Sequence, residues 1–283
     1  MKITVITVCR NAVTTLGDCL ESVRRQQHPE VEHWVIDGAS TDGTSELLAR
    51  SARPGLRVLS EPDEGLYHAM NKGLALATGD VVGFLNADDV LAHDRVLNEV
   101  AAALADPVME ACHADLCYVR CGDPGHIVRY WKSKPFHAGL FRYGWMPPHP
   151  TFYARKSVYQ MHGGFDPSFQ FGADWDLLLR FFEVARIRTV HVPSIWVLMR
   201  VGGVTNRSLG NILRNNLEGL RAFRKYRLWP SPWYPLAKLA HRLPQFIRRP
   251  EKRPAVDANL LSDDDSDSAP PHGDPFTDGR RPP

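Results

Sequence analysis

Polar side chains collect at three points where a run of apolar or β-branched residues stops. Arg10-Asn11 follows Ile3 to Cys9, Asp37-Gly38 ends the run from His33, and Asn86-Ala87-Asp88-Asp89 follows Val81 to Leu85. One carboxylate in such a place usually caps a turn. Three polar clusters behind successive apolar runs point instead to a shared crevice, because ligands of open parallel sheets bind beyond the carboxyl ends of the strands. The third cluster has the most specific chemistry. A carboxylate after a buried strand can hold Mg²⁺ or Mn²⁺, hard cations that take oxygen ligands and keep positions open for phosphate. A metal bridging two phosphates neutralises the charge that builds on a departing nucleoside diphosphate. Asp88 is the expected metal ligand, while Asp89 caps the helix beginning near Asp94 or braces the turn.

The elements that must position these groups alternate in type. Ile3 to Cys9 reads as a strand, and Leu16, Leu20 and Val23 share a helical face with Thr15 as N-cap. His33 to Asp37 and Arg57 to Ser60 are further strands, with a helix carrying Leu47 and Leu48 between them. Leu66, Met70, Leu74 and Ala77 follow helical spacing, and Val81 to Leu85 is apolar throughout, as buried parallel strands are. Strands separated by helix-length segments imply βαβ units and an α/β fold with a mostly parallel sheet. Later come an expected strand at Cys112 to Val119 and a helix at Asp174 to Phe182. Two short strands, Thr189 to Val192 and Ile195 to Met199, precede a helix at Asn211 to Tyr226.

The 283 residues suffice for one large α/β domain, and 43% hydrophobic with 23% charged residues is ordinary for a soluble globular chain. A net charge of +2 gives no overall argument for nucleic-acid binding. Cys9, Cys19, Cys112, Cys117 and Cys121 contain no CxxC pair, which suits reduced thiols better than a disulfide framework or a zinc site. The N-terminus lacks a signal-peptide pattern and no apolar run approaches the ~18 residues of a membrane span, so a cytoplasmic location is expected. Gly38 to Thr44 reads GxxxxGT without the Lys of a phosphate-binding loop, and no GxGxxG follows the first strand. A dinucleotide dehydrogenase is thereby disfavoured. Arg10-Asn11-Ala12-Val13 stands where a sugar-nucleotide pyrophosphorylase would carry a glycine-rich basic loop.

The chain resembles the family 2 glycosyltransferases of the GT-A fold, of the type that builds bacterial surface polysaccharides and glycolipids. The resemblance rests on Ile6-Thr7-Val8-Cys9-Arg10-Asn11, Val35 to Thr44, Glu61-Pro62-Asp63-Glu64-Gly65-Leu66-Tyr67, Ala69 to Gly73, Ala77 to Asp80 and Phe84 to Asp89. It continues through His149-Pro150-Thr151-Phe152 and Gly172-Ala173-Asp174-Trp175-Asp176-Leu177 to about Thr205. It implies a GT-A (Rossmann-like) fold and inverting transfer of a sugar from a nucleotide-diphosphate sugar to an acceptor hydroxyl. By position, Asp37 would contact the nucleoside, with Thr7 and Asn11 lining the same pocket and Asp63 beside base and ribose. Asn86-Ala87-Asp88 matches the Asp-x-Asp metal motif, with Asp88 binding Mg²⁺ or Mn²⁺ as cofactor. Asp174 matches the second acid of a Glu-Asp pair, the general base. At the start of a helix, the dipole would favour its ionised form. Asp176 would support the site.

The chain departs from the family pattern at Asn86 and Ala173, each in place of an acid, at His68, and in lacking a His after Arg200. The processive family's Gln-x-x-Arg-Trp motif is absent, which favours addition of a single sugar. His149 would lie on the acceptor side of the cleft, where Trp145 and Trp175 either stack on sugars or pack in the core.

Positive charge gathers between Arg214 and Arg253, ahead of an acidic patch at Asp263, Asp264, Asp265 and Asp267. Leu236, Leu239, Ala240, Leu243 and Ile247 share a helical face, with Lys238, His241, Arg242 and Arg248 largely elsewhere and Trp229, Trp233 and Tyr234 preceding. That pattern fits an amphipathic element on an anionic membrane, holding a lipid-linked acceptor at the cytoplasmic face, or an ordinary helix packed on the domain. The expected organisation is a GT-A domain over 1–228, an amphipathic segment over 229–250 and a disordered Pro/Asp/Ser-rich tail over 251–283. Expected partners are a nucleotide-sugar donor, a saccharide or lipid-linked acceptor and a peripheral membrane surface, without nucleic acid. The rival readings are a sugar nucleotidyltransferase and a catalytically silent sugar-nucleotide-binding module.

Overall fold

β-Branched and apolar residues with helix-length spacers produce β1 (Ile3–Cys9), α1 (Val13–Arg24), β2 (Val31–Asp37), α2 (Thr44–Arg50), β3 (Leu56–Ser60), α3 (Leu66–Leu76) and β4 (Val81–Phe84). The computed structural model describes residues 1–120, 123–201 and 209–250. Cys121, the last residues of the resemblance near Thr205 and the expected tail at 251–283 lie outside them. The chain continues with β5 (Asp89–Leu91), α4 (Val96–Ala103), β6 (Ala111–Arg120), β7 (Asp123–Trp131), β8 (Tyr153–Arg155) and α5 (Lys156–His162). Then follow α6 (Ala173–Leu179), β9 (Thr189–Arg200), α7 (Leu209–Lys225) and α8 (Tyr234–Ile247).

The strands form one mixed sheet in the order β3-β2-β1-β4-β8-β6-β9-β5, with β7 added against β6. The half β3-β2-β1-β4 is parallel, as the βαβ pattern requires, and Cys9 lies beside Asp37 while Asp37 lies beside Ser60. The polar residues ending these strands therefore share one edge. The other half contains the antiparallel pairs β4–β8, β6–β8, β6–β7 and β5–β9 and the parallel pair β6–β9.

Side chains alternate across β1. Ile3 and Val5 pack with Leu16, Leu20 and Val23 of α1, while Ile6 and Val8 join Met70 of α3 and a large aromatic cluster on the opposite face. That cluster includes Phe141, Trp145, Trp175, Phe182, Phe223 and Tyr234, with edge-to-face contacts such as Trp175–Phe141 at 5.2 Å and Phe223–Tyr234 at 5.5 Å. Truncating one such ring to Ala costs about 3–5 kcal/mol, so this layer anchors α6, α7 and α8 together.

Several local expectations change. Helix α1 begins at Val13 rather than after Thr15, and loop side chains satisfy its first amides: Ala12 N–H donates to Thr44 Oγ1 (3.0 Å) and Val13 N–H to Asp42 Oδ2 (3.1 Å). The two short late strands are one, β9, whose register against β6 slips between His191 and Ile195, around Pro193. Proline has no N–H to donate to a ladder, so the strand bulges there without ending. Strands β5, β7 and β8 carried too little alternation to be read in advance.

Residue 228 is not a packing boundary. Tyr234 is 1% exposed within the main core, and Ser231 N–H donates to the Arg142 carbonyl. Segment 229–250 therefore packs directly on the rest of the fold.

Candidate active site

The end of β4 turns sharply. Asn86 Nδ2 donates to Asp89 Oδ2 at 2.8 Å, so Asp89 braces the turn and does not cap the following helix. The Asp89 side chain is fully buried with Oδ1 lacking a hydrogen-bond partner, and burial together with the neighbouring Asp88 charge raises its pKa well above the usual carboxylate range. Asp88 stays partly exposed beside it. Its carbonyl accepts from Arg200 Nη1 (2.9 Å), while Arg200 Nη2 pairs with Asp18 of α1. The arginine closing β9 thus ties Asp88 to two other elements. Among the described residues no group of three or more His, Cys, Asp or Glu is assembled for a metal. The described residues therefore offer no closed cage. What they offer is a partly exposed Asp88 with an under-satisfied buried carboxylate behind it, a donor set that fits a divalent cation taking its other oxygens from phosphates.

The expected nucleoside residues divide. Asp37 is fully buried at the end of β2, and both its oxygens accept hydrogen bonds: Oδ2 from Ser60 Oγ (2.6 Å), Oδ1 from the Ser40 hydroxyl, with the Cys9 thiol 3.7 Å away. It clasps the ends of β1, β2 and β3. Asn11, at φ 53°, accepts from Thr41 N–H (2.9 Å) and so fixes the loop after β2. Asp63 is paired with Lys72 Nζ at 2.5 Å, with its side chain 1% exposed. It stands in the turn before Gly65, whose φ of 149° favours glycine and aims α3 at the crevice.

Thr7 is corrected. Its hydroxyl is wholly buried between the sheet and α1, bonded to His33 Nε2 (2.9 Å) and 3.6 Å from Cys19 Sγ. The residue on the same face at the strand end, two positions on, is Cys9, which touches Asp37. A two-residue offset keeps the face but moves the side chain from rim to interior.

Asp174 opens α6, half-buried, with Oδ1 accepting the Trp175 N–H at 2.7 Å. The helix start does not dominate as expected. Burial raises the Asp174 carboxyl above its usual value, outweighing the opposing pulls of His149, the Trp175 amide and Lys238. His149 is itself kept below its ordinary pKa by burial, so its ring is neutral near pH 7, and it stacks on Phe84 of β4 with centroids 5.9 Å apart. His149 thus lies within the field of Asp174 and stacks on Phe84, the strand end that leads into Asn86 and Asp88. Tyr67 completes this wall, its hydroxyl facing the Ala173 and Asp174 amides and its ring stacked on Phe165 at 5.7 Å.

Asp176 is wholly buried and structural: Lys225 Nζ donates to both its oxygens (3.0 and 2.9 Å) and the Tyr226 hydroxyl to Oδ2 (3.0 Å). Trp145 and Trp175 are 6% and 3% exposed and belong to the aromatic core. Sequence reasoning missed Glu218 of α7, whose carboxylate accepts the Gln170, Phe171 and Gly172 amides (2.8–2.9 Å) and so sets the loop leading into Asp174. It also missed Lys238 of α8, which lies over Trp175 (5.3 Å) and within the field of Asp174. Tyr67 stood in a quoted motif, but no spacing rule links residues 218 or 238 to residue 174.

A family model described as "Glycosyl transferase family 2" matches residues 4–165, more than half of the chain. A "PGL/p-HBAD biosynthesis glycosyltransferase" of Mycobacterium tuberculosis is 30% identical over 211 residues, covering 69% of this chain and 76% of that protein. An "Uncharacterized glycosyltransferase YibD" of Escherichia coli is 31% identical over 137 residues, covering 47% of this chain and 38% of that protein. Among solved structures, S. aureus TarS 1-349 in complex with UDP is similar with TM-score 0.60 at 18% identity, covering 86% of this chain and 71% of that one. Of another TarS chain, only 44% is covered. The mannosyltransferase PcManGT from Pyrobaculum calidifontis, in complex with GDP-Man and Mn²⁺, gives TM-score 0.59 at 22% identity, covering 85% and 69%.

Proposed function

Because the chain belongs to glycosyl transferase family 2, a family of GT-A nucleotide-sugar transferases, we propose that this glycosyltransferase is metal-dependent and inverting, with Asp174 as its base. The observation that carries the reading is a carboxyl of raised pKa, Asp174, within the field of His149, whose ring stacks on Phe84 at the β4 end that leads into the Asp88 turn. The donor class is supported by solved neighbours that hold UDP and GDP-Man. The mycobacterial relative supports a role in surface glycolipid or polysaccharide synthesis.

Asp88 would hold the divalent cation together with the donor's phosphates; when bound, that ion supplies positive charge where the leaving diphosphate gathers negative charge. The chain's own residues do the rest. The loop clasped by Asp37, Asn11 and Ser40 lines the nucleoside side, and Asp63, oriented by Lys72, lies beside the base and ribose. The acceptor oxygen attacks the anomeric carbon as the bond to the diphosphate breaks, and the hydroxyl proton passes to the Asp174 carboxylate. Configuration inverts because attack and departure take opposite faces. A base of raised pKa accepts that proton more readily than an ordinary Asp does.

The test is product analysis with a panel of nucleotide sugars and Mn²⁺. The expected products are a nucleoside diphosphate and a glycoside of inverted configuration by NMR. Release of pyrophosphate or retained configuration rejects the reading.

The proposed location is the inner face of the cytoplasmic membrane, with α8 in contact with anionic lipid. No described helix is long and apolar enough to cross a bilayer, but Trp229, Trp233, Leu239 and Ile247 are 81, 67, 56 and 81% exposed, with the exposed Arg249 just beyond α8. Flotation with anionic vesicles should be lost in W233S/I247S, and equal flotation of both proteins removes the membrane contact.

A further inference from the structure

Helix α8 is packed inside out. Its apolar stripe faces away from the domain, with Leu236, Leu243 and Phe246 60, 59 and 53% exposed, while its cationic side faces inward. There it closes a cavity of about 440 Å³ against β7 and the loop through Trp145. The cavity is lined by Arg129, Lys132, Lys134, Lys238, Arg242 and Arg248 and by no Asp or Glu.

Among the described residues none of these six cations forms a salt bridge. The hydrogen-bond acceptors they do meet are neutral: Arg129 Nε donates to Gln245 Oε1 (2.7 Å) and Lys238 Nζ to Asn216 Oδ1 (3.1 Å). Arg129 is otherwise sandwiched by rings, 4.6 Å from Tyr118 and 5.5 Å from both Trp131 and Phe246. Burial and the nearby Arg242 charge push Lys238 down to about 8. Clustered cations without carboxylates carry mutual repulsion that an incoming anion removes.

We infer that this cavity binds the phosphate or diphosphate group of a membrane-borne acceptor and thereby sets the acceptor's sugar hydroxyl against Asp174. The class of ligand follows from the lining: several unpaired Lys and Arg donors in a concave site match a multiply charged oxyanion, which forked guanidinium groups hold best. Its source follows from the exposed apolar stripe, which places the cavity at a lipid surface where the ligand's hydrocarbon remains in the bilayer. Its role follows from Lys238 and Trp175, which line the cavity and adjoin the base. The word acceptor rests on the transferase reading above; the anion site itself does not.

The experiment is calorimetry on the full chain in EDTA, without donor, using decyl diphosphate and inorganic pyrophosphate as probes. Decyl diphosphate is expected to bind, and pyrophosphate to bind about tenfold more weakly because it leaves the apolar stripe unused. Arg242→Gln should weaken decyl diphosphate binding about tenfold or more, and Arg242→Lys should restore much of it. Lys132→Gln, at an exposed position just after β7, provides a second variant should Arg242→Gln fold poorly. Absence of binding, or wild-type affinity in both Gln variants, overturns the site, and equal affinity for the two probes overturns its membrane-borne ligand. Since metal and donor are absent, failure here leaves the transferase reading standing. Conversely, binding retained in a protein that transfers no sugar counts against that reading alone.

Discussion

On the parallel-strand side of the crevice Asp37 is wrapped by Ser40 and Ser60, Asp63 is paired with Lys72 and Asp89 is held by Asn86. On the α8 side six Lys and Arg residues line one cavity without a carboxylate among them. On the first side Asp37 is satisfied by the strand ends around it, while Asp63 Oδ2 and Asp89 Oδ1 are buried without a hydrogen-bond partner. The second is electrostatically incomplete. In the proposed function a donor would bring its nucleoside to a preformed loop on the first side, whereas the second would need its ligand's negative charge to relieve repulsion.

The difference can be pressed from the centre outward. Asp174→Asn removes the proposed base and should lower the transfer rate by about 10³-fold, within the range for general-base loss, while donor affinity stays nearly unchanged. Single-turnover kinetics beside donor calorimetry would check this, and wild-type turnover in the variant removes the base assignment. Asp88→Ala should weaken Mn²⁺-dependent donor binding by about tenfold to a hundredfold, and the difference between titrations with and without Mn²⁺ should shrink accordingly.

Stability contrasts the two sides directly. Lys72→Met strands Asp63 and should cost about 2 kcal/mol in urea unfolding, less than the roughly 3–5 of a fully buried pair because Lys72 is 30% exposed. Arg242→Gln, which relieves repulsion, should cost nothing or stabilise by about 0.5 kcal/mol. If both variants lose stability equally, the contrast between a satisfied and an unsatisfied side fails.

The last prediction concerns pH. As the proposed base Asp174 must be deprotonated, and its raised pKa should displace the acid limb of kcat/KM to higher pH than an ordinary Asp would give. Lys238 lowers that pKa, so Lys238→Met should move the limb further upward. A limb that stays in place would separate α8 from the base.

The nucleotide half was legible because its signals are local. A β-branched run fixes a strand and a parallel strand ends at a crevice, so the strand-end positions of Asp37, Asn11 and the Asp88 turn could be read along β1, β2 and β4. The burial of Thr7 could not, because the pattern does not say which of two same-face residues stands at the rim. The raised pKa of Asp174 was invisible for a different reason. Helix-start electrostatics can be read from adjacent residues, but the burial that overrules it depends on how the rest of the chain packs around Asp174. Helix α8 shows the limit most clearly. Its sequence determined that one face is apolar and the other basic, but which face turns inward depends on Tyr234 seated beside Trp175 and Phe223 and on Arg129 meeting Gln245 across 116 residues. Amphipathicity sets the angle between two faces; only packing against the rest of the chain decides their direction, because the energy of each orientation resides in partners distant in sequence.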